Sequence, residues 1–194
     1  MRIGIRQLAF VLTLLISFVV TSEAFAGTMP FIGFGTYTNV NSSFTYDGAA
    51  SAALLTGSES SNLGPATFQV VSEVSPSTVA CTAPDGTAGT TFDLVQTDAA
   101  GAWGQKGQLF FTAVGAQAGS QCVSSTTGSN GGSITYTITG GTGAFAGASG
   151  STLLKFTGHT LAATGSPPGS TGIFGAGQFT FSGSLTKGSA GSAH

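Results

Sequence analysis

Charge is what this sequence has least of. Only 6% of its 194 residues are Asp, Glu, Lys or Arg, against about 25% in an ordinary globular chain. Five basic and seven acidic residues cannot build a nucleic-acid surface, an acidic tail or the Glu/Lys-laced faces of soluble helices and coiled coils. Both arginines, Arg2 and Arg6, fall in the first few positions. Beyond residue 26 the chain has no arginine, and Lys106, Lys155 and Lys187 against Asp47, Glu59, Glu73, Asp85, Asp93 and Asp98 leave a formal −3. Phosphate clamps and anionic-membrane binding draw on Arg or clustered Lys, so neither nucleic acid nor a membrane is expected as a partner of the mature chain. Long amphipathic stripes of helical period are missing too. Glycine is abundant, at 31 residues, but has no three-residue period, which excludes collagen.

What is present is apolar bulk cut into short pieces. Fifteen Phe, three Tyr and one Trp suffice for a packed core. The N-terminus reads as a secretory signal: Arg2 and Arg6 precede an apolar run from Leu8 to Val20, and Ala24-Phe25-Ala26 supplies small residues for cleavage between Ala26 and Gly27. The apolar run is shorter than the roughly 20 residues of a membrane-spanning helix. The expected mature chain, residues 27–194, is a single domain in a secreted or periplasmic compartment, with loose termini at 27–35 and 187–194. In such a compartment Cys81 and Cys122, the two cysteines, are expected to form a disulfide. They do not have the Cys-x-x-Cys spacing of a redox or metal pair. No metal site and no cofactor is expected.

From Thr36 onward apolar residues recur with period two in stretches bounded by turn residues, as strands do. Ser133–Thr139 is the clearest, with Ile134, Tyr136 and Ile138 on one face and threonines on the other. Ser43–Asp47, Ala66–Val74, Thr90–Gln96, Gly107–Val114, Thr152–Thr157 and Gln178–Thr186 read likewise, with Ala50–Thr56 less clear. The expectation is about eight strands of five to eight residues in an antiparallel barrel or sandwich. Asp85-Gly86 and Asn130-Gly131 signal turns, and Pro167-Pro168-Gly169 a bend. Strands this short fall below the 9–11 residues of a membrane-spanning strand.

Gly140, Gly141, Gly143, Phe145 and Gly147 lie in the conspicuous segment Ile138–Gly150. Gly141-x-Gly143-x-x-Ala146 fits the permissive dinucleotide-binding pattern, but neither the following helix nor a later acidic residue is there to complete it. The glycines read instead as a tight wind between strands, with Phe145 anchoring it in the core. Trp103, flanked by Gly101 and Gly104, reads either as closing one barrel mouth or as a cap on the core, with the cap favoured. Asp93 and Lys155 each sit between two apolar residues in a strand. Turned inward they would be acid–base candidates together with Tyr136; turned outward they are solvated charges.

Ile138–Gly150 resembles the Gly-Gly-Thr-Gly-x-Phe-x-Gly-Ala-x-Gly segment of proteins similar to allene oxide cyclase, a barrel family that also resembles the dirigent proteins. Cys81–Gly86, Gly107–Phe110, Cys122 and Gly177–Gly183 resemble secreted bacterial members of that group, so the resemblance spans about residues 81–186. It implies an eight-stranded antiparallel barrel with an apolar interior, no required cofactor, and often assembly as a homo-oligomer. The signal peptide and the cysteine pair depart from the plant enzymes, and none of their functional positions matches a residue here. The reading is therefore a secreted barrel that binds a small apolar molecule in its interior. Its rivals are a cofactor-independent cyclase or isomerase of an apolar substrate and a structural or surface-interaction module whose barrel is filled by its own side chains.

Overall fold

The computed structural model describes residues 27–42, 51–162 and 173–188. Strand is the dominant element, and no α-helix occurs among the described residues. Among the described residues nine strands run in chain order: β1 (Thr28–Ser42), β2 (Ser51–Ser61), β3 (Gly64–Thr82), β4 (Ala88–Ala102), β5 (Gln108–Val114), β6 (Ser120–Ser124), β7 (Ser129–Gly141), β8 (Ser149–Ala162) and β9 (Ile173–Thr186). All pairings are antiparallel. β3, β2, β1, β9, β8, β7, β5 and β4 follow one another around the sheet, and β4 pairs back onto β3. The sheet is thus a closed ring of eight.

β6 adds no ninth position to the ring. β5 pairs with β4 at 96–102 and with β7 at 137–141, whereas β6 pairs with β4 at 89–93 and with β7 at 130–133. Both segments run antiparallel to the same two neighbours, so together they form one stave. A single 3₁₀ turn, Gly115–Gln117, interrupts it. Ala118 just beyond is fully buried, and Leu94 N donates to Gly119 O at 3.0 Å to close the gap.

Several expectations change. Residues 28–35, read as a loose terminus, form the first half of β1, hydrogen-bonded to β9 from Thr28↔Thr186 onward. Asn130-Gly131, read as a turn, lies within β7 and pairs with β6 and β8. Seven strands exceed ten residues, and β3 reaches 19, so shortness does not argue against a membrane-spanning strand here. The expected strand Ser43–Asp47, the Pro167-Pro168-Gly169 bend, the signal peptide and most of the 187–194 terminus lie outside the described residues.

Side chains alternate as the strand period requires. Phe31 and Tyr37 of β1, Ile134, Tyr136 and Ile138 of β7, and Phe179, Phe181 and Leu185 of β9 are buried inside the ring. Thr36, Thr38, Thr135, Thr180 and Ser182 face outward. One end of the ring is plugged. There Trp103, 4% exposed, packs against Phe31 and Phe145 with ring centroids at 6.2 and 5.3 Å, and its Nε1 donates to Ser61 Oγ at 3.3 Å. Phe145 is carried by the glycine-rich turn between β7 and β8, where Gly143 and Gly147 adopt φ of 59° and 69°, a region that Cβ-bearing residues rarely enter. Trp103 thus both covers the core and closes one end of the ring, and Phe145, 2% exposed, anchors the glycine-rich wind.

Cys81 of β3 and Cys122 of β6 form a disulfide with Cα atoms 5.9 Å apart. It crosses β4 at Gly89, where an added Cβ would lie 3.0 Å from Cys122 Sγ. At the same end Asp85 ties two turns together, accepting from Thr87 Oγ1 at 2.7 Å and Thr127 Oγ1 at 2.6 Å.

Candidate functional site

Away from the Trp103 plug, the ring encloses a cavity of about 370 Å³. Its wall is built from positions on all eight staves. The deeper part is apolar, with Leu55, Phe68, Val70, Leu154, Phe156 and Phe179; Asn39, Ser51, Gln121, Asn130 and Thr160 lie toward the strand ends opposite the plug. Asn130 Nδ2 donates to Thr160 Oγ1 at 3.0 Å and bridges β7 to β8 at this rim. Tyr37 also lines the cavity, and burial pushes its hydroxyl up to about 12.

A second chamber of about 50 Å³ lies deeper in the ring. It shares Phe68, Val70, Tyr136, Leu154 and Phe179 with the larger cavity. Three polar side chains meet it: Glu59 of β2, Tyr136 of β7 and Thr152 of β8. Glu59 Oε1 and Thr152 Oγ1 are buried and make no hydrogen bond within the protein. Desolvation by the surrounding apolar wall raises Glu59 from the usual carboxylate range to about 7. Burial, with a smaller contribution from the negative charge of Asp98, pushes the Tyr136 hydroxyl well above its ordinary range.

Of the three acid–base candidates read from the sequence, Tyr136 alone faces the interior. Asp93 and Lys155 are exposed on the outer face, each opposite the inward side chains that flank it, so the geometry does not bring them together with Tyr136. Glu59 escaped the sequence reading. The period-two stretch legible in the sequence, Ala50–Thr56, stops short of Glu59, whereas β2 continues to Ser61, and its alternation from Ala53 through Leu55 and Gly57 carries Glu59 inward. Glycines 140, 141, 143 and 147 with Phe145 sit at the plugged end, not at the cavity rim. No group of His, Cys, Asp and Glu among the described residues could hold a metal ion, and no described helix is long and apolar enough to cross a membrane.

Comparison with protein-family models, with curated proteins and with solved structures finds no match to this chain.

Proposed function

We propose that the chain is an exported protein whose ring is an eight-stranded antiparallel barrel similar to those of the allene oxide cyclase and dirigent superfamily, and that it binds a small apolar molecule in the interior. One observation carries this reading: a cavity of about 370 Å³ with an apolar wall and a polar rim, opposite a plugged end. Its size falls within the roughly 300–1,000 Å³ of small-molecule sites, and apolar walls with a few placed polar groups are their usual lining. A cavity of this size weighs against a module filled by its own side chains. Membrane barrels turn apolar residues to lipid and polar ones to the lumen. Here Phe31, Tyr37, Tyr136, Phe179, Phe181 and Leu185 are buried inside, while Thr and Ser alternate outside with a scatter of exposed apolar residues such as Ile32, Phe34 and Leu54, a pattern that supports a released protein. The disulfide supports an oxidising compartment.

The cyclase or isomerase reading has its own support in Glu59 and Tyr136, a carboxyl and a phenol placed against an apolar cavity, since a carboxyl raised toward neutrality is suited to proton transfer. Native mass spectrometry of the full chain, recovered as its own host exports it, tests the binding reading. The expected result is a stoichiometric apolar molecule released on denaturation. Polypeptide mass alone, less the hydrogens lost to the disulfide, in both native and ligand-soaked samples would overturn it.

A further inference from the structure

The smaller chamber is walled by aromatic rings that touch in sequence around it. Tyr136 meets Phe111 at 6.0 Å between centroids, and Phe111 meets Phe31 at 6.1 Å. Phe31 meets Phe181 at 4.6 Å, Phe181 meets Phe179 at 6.2 Å, and Phe179 meets Phe68 edge-on at 4.9 Å. All six rings line the chamber that holds Glu59. No lysine or arginine is among its lining residues. Lys106 is engaged by Leu63 O at 2.8 Å near the plug, and Lys155 lies on the outer face.

A carboxyl inside a ring of aromatic faces is the chemistry that recognises an ammonium group. The carboxylate supplies the opposite charge, the π-faces add cation–π attraction that desolvation strengthens, and Thr152 Oγ1 offers an acceptor for an N–H donor. An ionised carboxylate buried without a partner is costly, and a cation brought in by a ligand would remove that cost. The two chambers share five wall residues, so a molecule whose head occupies the smaller one has room for an apolar body in the larger. Resting on the interior-binding reading above, we propose that the ligand is an amphiphilic amine, its ammonium head held by Glu59 and Thr152 within the aromatic ring and its apolar body in the larger cavity. Among the residues lining the smaller chamber, contributed by β1 to β5 and β7 to β9, only Glu59 and Tyr136 titrate. Tyr136 stays neutral throughout the range used below.

The test is isothermal titration calorimetry of the full mature chain with n-octylamine and n-octanol, which share a body and differ in the head. At pH 8 the amine is expected to bind about tenfold or more tighter than the alcohol, as for loss of one charge-assisted contact. Lowering the pH to 5.5 protonates Glu59 and should weaken the amine alone. Glu59→Gln, near in shape, should abolish the preference for the amine and its dependence on pH. Equal binding of both probes, insensitive to pH and to Glu59→Gln, would overturn the amine assignment and leave an apolar-ligand site standing. Binding of neither would overturn the interior-binding reading as well. If Glu59→Gln fails to fold, the wild-type preference at the two pH values decides alone.

Discussion

The ring of Phe179 on β9 lies over Gly35 on β1. The two are register partners, and a Cβ at Gly35 would run into Phe179 Cζ and Ser58 O. The other register partner of Gly35 is Glu59, so the glycine lets a ring cross a strand toward the interior carboxyl. Gly33 plays the same part beneath Phe181. Aromatic rings laid across glycines on a neighbouring strand are a known way to pin register in curved sheets. Gly35→Ala should therefore overpack the wall and cost about 1–3 kcal/mol, read as a lower urea midpoint at unchanged slope.

Glu59 makes stability depend on pH in an unusual direction for a carboxyl. Its proton is held to about 7 in the folded chain, against 4.5 as the unperturbed value. Between those limits the folded state binds more protons than the unfolded state, so stability falls as pH rises from about 4.5 to 7 and levels off above. The full difference is on the order of 3 kcal/mol. Urea titrations at pH 5 and pH 8 measure it, and Glu59→Gln should flatten the dependence and raise stability at pH 8.

Asp85 acts the opposite way. Hydrogen bonds from the Thr127 and Thr87 side chains, with the Thr87 backbone N–H, hold it down at about 2 against an ordinary 3.8. Its stabilisation is present above about 3.8 and fades as pH falls toward 2. Asp85→Asn should remove this component from an acid-unfolding profile followed by circular dichroism, and it should loosen the turns at 83–87 and 125–128 in hydrogen exchange.

The Cys81–Cys122 bridge closes a separation of 41 residues. The chain-entropy relation gives about 4 kcal/mol for a loop of this length. The double variant Cys81→Ser, Cys122→Ser should lose about that much in urea unfolding, and a reducing agent should lower the wild type to the same level.

Legibility in the sequence followed the alternation of side chains. Ile134, Tyr136 and Ile138 announced β7 because apolar side chains alternate there with threonines. β1 stayed hidden in its first half because two inward positions, Gly33 and Gly35, are glycine: the space that the period assigns to β1 is filled by rings from β9, and no local pattern records that. Asn130-Gly131 misled for a related reason. Gly131 is needed in the strand because a Cβ there would sit 2.7 Å from Pro84 Cγ, and a small residue required by tertiary contact looks like a turn residue. At the site, Tyr136 was readable from its strand, whereas Glu59 needed the full length of β2, and the chamber that joins them is made by eight strands at once.

The pairing of β1 with β9, from Thr28↔Thr186 to Val40↔Phe174, has a kinetic consequence. Apart from this one, each junction of the ring joins staves that are neighbours in the chain, and those can zip up as hairpins while the chain lengthens. Closure alone must wait for the last strand, so the slowest folding step should be the meeting of the two ends, the contact of greatest sequence separation in the ring. Until then β1 presents an open edge carrying Ile32 and Phe34, exposed on its outer face even in the finished fold. A nascent chain stalled before residue 173 is thus the species most prone to stick to its own copies.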